Sequence, residues 1–256
     1  MITEKDMEYI ISANPDKYIE EGLVFLSRQL SIGSYRFDLL FKDRHGAKLI
    51  VELQKGTLDR NHTYKIFDYF NEFKEQKPAE FVDVMIIANK IPRERQRRLK
   101  SYGVPFIEID ETTFTKAEIL FAHWEQFFDK NNIAYARPTI KDDPPQYSPS
   151  YFLSELSCWI DIYSNKPDQK ELLLPLKFCL NSHEKVHVFV GEPENSFSFI
   201  SYYFYEHFLP LERVREMIND PIEYATDTFS EDGLVSKGSD IYFSFENKTV
   251  KLRQKL

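Results

Sequence analysis

RFDLLFKDRHGAKLIVELQKG, residues 36–56, is the stretch that decides the fold. Asp43-Arg44-His45-Gly46 interrupts two apolar runs, YRFDLLF before it and AKLIVELQ after it. Two β-branched and aromatic runs joined by a short turn with glycine read as a β-hairpin. Carboxylates stand inside both runs: Asp38 between Phe37 and Leu39, Glu52 between Val51 and Leu53. Gln54 follows Glu52 by two positions, so the two side chains leave the same face of a strand. A carboxylate within an apolar strand is unfavourable unless it is paired or binds a metal. Two of them on adjacent strands suit a hard divalent cation that takes oxygen ligands. The pattern has a plainer reading as well, in which Asp38 marks a strand end and Glu52 faces solvent.

Outward from the hairpin the periods alternate. Lys5 to Glu21 carries Met7, Ile10, Ile11 and Ile19 at helical spacing, with Asn14-Pro15 as a break and restart. LVFLSRQLSI alternates as a strand should, and Gly33-Ser34 turns it into the hairpin. Downstream, Leu58 to Lys74 returns to helical spacing, VDVMIIA reads as a buried strand, and Pro92 starts a basic helix. VPFIEI is a further strand, and Lys116 to Asp129 is an amphipathic helix. The expected order is α-β-β-β-α-β-α-β.

Asp38 and then Glu52-Leu53-Gln54, set in this order of elements, resemble the PD-(D/E)xK nuclease superfamily with its restriction-endonuclease-like fold. More narrowly, NPDKYIEEGL, RFDLLFKDRHGAKLIVELQKG and the following helix with Tyr69 are similar to the NucS-type endonuclease domain, over about residues 7–110. The fold class implied is α/β, an αβββαβ core with a mixed sheet, followed by a smaller α+β domain. The resemblance implies a divalent-metal-dependent DNA endonuclease, with Mg²⁺ or Mn²⁺ held by Asp38, Glu52 and the Leu53 carbonyl. Glu20 matches the family's first-helix glutamate through its E-x-G-L context, with Glu21 as the other register.

One position departs from the family pattern. Gln54 stands where the family usually has lysine, and Lys55 follows on the opposite face. Superfamily members with E-x-Q exist, and Gln54 would there orient the attacking water. Lys65 is the candidate substitute cation, because His62, Lys65 and Tyr69 fall at i, i+3 and i+7 on one helix face. That face also reads as an ordinary solvated surface. KIPRERQRRLK, residues 90–100, holds six cations against Glu94. Its Arg93, Arg97 and Arg98, with Lys55 and His62, are the candidate phosphate contacts. A solvated outer helix is the alternative for that run.

The formal net charge is −8, which argues against a general nucleic-acid coat. Residues 1–136 carry 20 cations and 22 anions, a net of −2, so −6 falls on the remainder. Arg137 to Ser150, with four prolines and no apolar period, reads as a linker between domains at 1–136 and 151–256. Two cysteines, Cys158 and Cys179, provide no disulfide framework, which makes a reducing, cytoplasmic setting the expectation. No run approaches the roughly 20 apolar residues of a membrane span.

The second half supports two further readings. His183-Glu184-Lys185-Val186-His187 matches H-E-x-x-H, and Glu206 follows after an 18-residue gap, the spacing of a zinc peptidase. That chemistry needs the motif on a helix, whereas VHVFVGEPEN reads as a strand and a turn. The aromatic-rich remainder suits a core and a subunit interface, making a second copy of the chain a candidate partner. A base-stacking surface is the alternative. Three functions therefore stand: a metal-dependent nuclease acting on DNA (RNA not excluded), a non-cleaving nucleic-acid-binding module in which Gln54 marks a decayed site, and a zinc metallopeptidase.

Overall fold

The structure is a computed structural model. It describes residues 2–33, 35–138, 147–155 and 157–165, isolated positions between 167 and 178, and residues 186–193, with backbone at 198–202, 240–244 and 249–253. The chain divides into two compact units, Met1–Ala122 and His123–Leu256.

In the first unit, helices α1 (Glu4–Ala13) and α2 (Pro15–Tyr18) precede strands β1 (Val24–Ile32), β2 (Tyr35–Lys42) and β3 (Lys48–Thr57). Helix α3 (Arg60–Gln76), β4 (Val82–Lys90), α4 (Arg93–Ser101) and β5 (Phe106–Glu108) follow, and α5 spans Lys116–Lys130. Each is within a few residues of its expected place. The five strands form one sheet in the order β1-β2-β3-β4-β5. The first three are antiparallel neighbours, and β3, β4 and β5 run parallel, so the sheet is mixed.

Local chemistry accounts for the boundaries. Thr3 and Asp6 exchange hydrogen bonds as a capping box that starts α1, and Asn14 ends it before Pro15 restarts the chain as α2. In the β2–β3 turn, Asp43 Oδ1 accepts the amides of His45 and Ala47, and Gly46 supplies a φ of +91°. Gly33, at φ +59°, closes the β1–β2 turn, where a Cβ would run into the Glu72 side chain.

Two apolar layers sandwich the sheet. Leu39, Phe41, Leu49, Val51 and Leu53 pack with Met7, Ile10 and Ile11 of α1. Leu40, Ile50, Ile86 and Ala88 pack with Ile66, Tyr69 and Phe73 of α3 and Leu99 of α4. β3 is therefore apolar on both faces, Leu49, Val51 and Leu53 serving one layer and Ile50 the other, as strands covered on both sides must be.

The second unit contains a seven-stranded sheet in the order β12-β11-β10-β9-β8-β7-β6. Its strands are β6 (Tyr135–Ala136), β7 (Tyr151–Leu153), β8 (Cys158–Tyr163), β9 (Val186–Val190), β10 (Ser198–Tyr202), β11 (Asp240–Ser244) and β12 (Thr249–Arg253). Among the described residues, only β8 and β9 of this sheet pair in parallel. Trp124, Phe128, Tyr135, Tyr151 and Phe189 form a chain of tilted and edge-on ring contacts. Glu125 is buried beside them, taking Arg137 Nε at 2.6 Å and the Tyr151 hydroxyl at 3.1 Å. These contacts draw residues from His123 onward into the second unit, so the division falls inside α5, ahead of the 137–150 segment read as a linker. Residues 139–146 of that segment lie outside the described residues.

α5 begins with a second reciprocal cap, in which the Glu118 carboxylate accepts the Thr115 amide and the Thr115 hydroxyl accepts the Glu118 amide. Lys17 and the Tyr18 hydroxyl reach the same carboxylate at 2.7 and 2.8 Å, tying α2 to α5. Burial alone would raise the Glu118 pKa, but the donors outweigh it and hold the group at about 2. A carboxylate with a depressed folded-state pKa stabilises above its unfolded value and loses that contribution as pH falls through the folded one. Glu118→Ala is therefore expected to cost about 1–2 kcal/mol near neutral pH. The difference between thermal melts of the two proteins should shrink below pH 4.5 and vanish only as pH falls through about 2, and a pH-independent difference would contradict the assignment.

Candidate active site

The hairpin brings its two carboxylates together. β2 and β3 pair Leu39 with Val51, which sets Asp38 opposite Glu52 one step further along the ladder. The Leu53 amide donates to Asp38 Oδ2 at 2.9 Å, bridging the strands through the side chain. Glu52 lies on the α3 side of β3, the side of Ile50, and its side chain is only 1% exposed.

Helix α3 supplies the cation. Lys65 Nζ donates to Glu52 Oε1 at 2.7 Å and stands 4.9 Å from the Tyr69 ring centre. His62, one turn earlier, places Nε2 4.0 Å from the same oxygen. Glu52 Oε2, by contrast, is buried with no hydrogen-bond partner. Burial, followed by the charge of Asp38, pushes the Glu52 pKa up to about 8 despite Lys65. Burial opposes the charge on Lys65, yet its bonds to Glu52 and Tyr69 prevail and raise its pKa.

A third carboxyl group closes the cluster from α1. Glu8 Oε1 accepts Gln29 Nε2 at 2.7 Å, and the same nitrogen donates to Asp38 Oδ1 at 3.1 Å. Glu8 is buried, and desolvation, with Asp38 and Glu4 adding repulsion, raises its pKa to about 7. Gln29 adopts a φ of +51° within β1, a conformation that a non-glycine residue keeps only where its surroundings enforce it. Sequence reasoning missed both Glu8 and Gln29. The available signal was Glu8 beside Met7 on the apolar face of α1, where an acid needs a reason.

The other expected site residues sit as follows. Glu20 is exposed in the turn after α2 and lines a cavity with Leu49 and Asp83, toward the opposite end of β3 from Glu52. Gln54 shares the face of Glu52, but its carboxamide bonds twice to Asp59, and no hydrogen bond joins it to Glu52. Lys55 turns its amide to Glu4 Oε2 at 2.9 Å. Arg93 and Arg97 are exposed on α4, and Arg98 lies 4.5 Å over the ring of Tyr64 on α3. The basic helix thus borders the one that carries His62 and Lys65.

A hard divalent ion fits this chemistry. The donors are carboxylate oxygens, one of them an orphaned buried acceptor, and burial, with the charge of Asp38 adding to it, raises the pKa of Glu52 and Glu8. Among the described residues no three His, Cys, Asp or Glu side chains form a ready-made metal cluster. Asp38 and Glu52 would therefore share an ion with backbone oxygen and water. As for the zinc motif, His187 is buried in β9, a strand and not a helix, while His183, Glu184 and Glu206 lie outside the described residues. Cys158 is buried in β8, and Cys179 also lies outside them. No helix among the described residues is long and apolar enough to cross a membrane.

Residues 3–126 match the family model described as the endonuclease NucS C-terminal domain. Endonuclease NucS of Methanocaldococcus jannaschii is 24% identical over 141 residues, 55% of this chain and 49% of that protein. The chain thus spans about half the length of that curated relative. Among solved structures, a repair endonuclease from Pyrococcus abyssi is 24% identical, with 43% of this chain and 48% of that chain covered at a TM-score of 0.39. A complex of EndoMS with double-stranded DNA is 21% identical, with 43% and 48% covered at a TM-score of 0.37. The match over residues 3–126, the order of elements and the paired hairpin carboxylates agree in making this segment similar to the NucS C-terminal domain.

Proposed function

We propose that the chain is a divalent-metal-dependent DNA endonuclease whose reacting centre is built from Asp38, Glu52 and Lys65, with Glu8 behind them. The observation that carries the reading is the buried, unpartnered Oε2 of Glu52 opposite Asp38, in a segment similar to an endonuclease domain. Asp38, Glu52 and the Leu53 carbonyl would hold Mg²⁺ or Mn²⁺. Such an ion, when bound, lowers the pKa of a coordinated water and offsets charge developing on phosphate oxygens.

The chain's own residues do the positioning. The Leu53 amide and Gln29 each fix one oxygen of Asp38. Lys65 brings a full positive charge to the edge of the carboxylate pair, the electrostatic task that Gln54, an uncharged amide, cannot perform. Glu8, at about 7, stands near the pH at which a carboxyl group can give or take a proton, and Gln29 links it to Asp38. Arg93, Arg97 and Arg98 on α4, with Lys55 and His62, are the groups proposed to track the phosphate backbone.

Asp38→Asn and Glu52→Gln are each expected to abolish Mn²⁺-dependent nicking of plasmid or branched DNA, and retained cleavage by both would contradict the proposal. Lys65→Ala should lower turnover roughly 10²–10³-fold while leaving DNA affinity nearly intact. Tight DNA binding by the unaltered chain without cleavage under any divalent ion would favour the non-cleaving module instead. Charge reversal at Arg97 and Arg98 should weaken binding across sequences and shallow its salt dependence.

A stability measurement separates the strain from the chemistry. A carboxyl group whose folded-state pKa is raised contributes stability fully below its unfolded value of 4.5, and the contribution is lost as pH rises through about 8. Glu52→Gln should therefore raise the melting temperature of the metal-free protein at about pH 8.5, with the gain shrinking toward pH 5. An equal change at both pH values would show that Glu52 is not held against its charge.

A further inference from the structure

Gln54, at the position where related domains usually carry lysine, has a partner for each of its polar side-chain atoms away from Glu52. Its Oε1 accepts the Asp59 amide at 2.8 Å, and its Nε2 donates to Asp59 Oδ2 at 3.1 Å. Asp59 is the N-cap of α3, its Oδ1 accepting the His62 amide at 2.8 Å and its carbonyl the Thr63 hydroxyl at 2.8 Å. Asp59 Oδ2 also meets His62 Nδ1 at 3.1 Å.

From this cap the helix runs straight back to the strand, with His62 Nε2 4.0 Å and Lys65 Nζ 2.7 Å from Glu52 Oε1. Gln54, Asp59, His62 and Glu52 thus form a loop of contacts that begins and ends on β3, two residues apart, and Lys65 joins it at Glu52. The strand end is fixed independently. Residues Gln54 to Thr57 leave the regular β3–β4 register, Gly56 donates to Asn89 Oδ1 at 2.6 Å, and the Leu58 amide bonds to the Lys90 carbonyl at 2.8 Å.

We propose that Gln54 is a positioning residue: with Asp59 it fixes the start of α3 so that the Lys65 ammonium stands at Glu52, and the site's lysine is supplied from the helix instead of the strand. The inference rests on the nuclease reading above for its catalytic consequence. Both polar atoms of the carboxamide are engaged with Asp59, which directs the Gln54 side chain to the helix cap. A displacement of about 1 Å in a catalytic group can cost as much as 10²-fold in rate, which makes the cap a lever on turnover.

The test is a reciprocal exchange of the hydrogen-bonding groups, read by steady-state cleavage with Mn²⁺ on the full chain. Gln54→Glu sets two carboxylates against each other, and Asp59→Asn forces one amide to serve two donors. Each should lower kcat about tenfold or more with KM for DNA within roughly twofold. In the double variant the introduced carboxylate accepts both the backbone N–H and the introduced amide at position 59, and kcat should return to within about threefold of the parent. Gln54→Lys should lower kcat, since it breaks the cap where Lys65 already stands.

Single variants with parental kcat, a double variant no better than the worse single, or a faster Gln54→Lys enzyme would each overturn the proposal. A parent that cleaves nothing fails the nuclease reading instead. The loop of contacts is then read from the ¹⁵Nζ resonance of Lys65, whose ion-paired shift and slowed proton exchange should be lost in Gln54→Glu and regained in the double variant. An unchanged resonance in Gln54→Glu would overturn the proposal on that arm.

Discussion

Taking the Glu52 carboxyl out of water opposite Asp38 is the constraint on which the domain depends. An ionised carboxylate removed from water costs several kcal/mol unless its lone pairs are met, and one oxygen of Glu52 has no partner at all. The arrangement persists because two apolar layers grip β2 and β3 from both sides and fix the pair in place. Around it, three contacts offset the repulsion among the carboxyl groups: Lys65 on Glu52, the Leu53 amide on Asp38, and Gln29 between Asp38 and Glu8. The left-handed backbone of Gln29 is a second local strain held by the same surroundings. Strain gathers at one place, in a domain whose caps and turns elsewhere follow local preference, and that contrast supports the proposed site.

The end of β3 converts that constraint into geometry. Successive amides there leave the ladder for side chains, Lys55 to Glu4 and Gly56 to Asn89, while the Gln54 side chain takes the cap of α3. The strand carrying the carboxylate therefore also dictates where the next helix begins. A lysine one and a half turns into that helix is delivered to the strand by the start of the helix, without a cation on the strand itself. The departure from the lysine pattern at Gln54 fits a redistribution of roles between strand and helix as well as it fits a loss of function.

Much of this was legible in the sequence, for reasons that differ by element. The hairpin announced itself through two apolar runs and the Asp43–Gly46 turn, and the helices through period and caps, because these signals act within a few residues. The placement of Lys65 on one face with His62 was legible because a helix repeats predictably. Glu8 and Gln29 were not found. Their approach to Asp38 is decided by how α1 crosses the sheet and by one unusual backbone angle, and neither is written in a local pattern. Glu20 was suggested by motif context alone, and the structure places it in an exposed turn. The division of the chain inside α5 was hidden as well, since a helix that serves two cores shows one continuous period. The net charge of −8 likewise says little about the site, where Asp38, Glu52 and Glu8 gather locally.

The central claim is that the Asp38–Glu52 pair is a seat for a divalent cation. A crystal of the full chain soaked in Mn²⁺ and measured for anomalous scattering tests it most directly. The account predicts a peak within coordination distance of Asp38 and Glu52, with Oε2 of Glu52 engaged. A well-ordered site without such a peak, or metal bound only at His187, would contradict it.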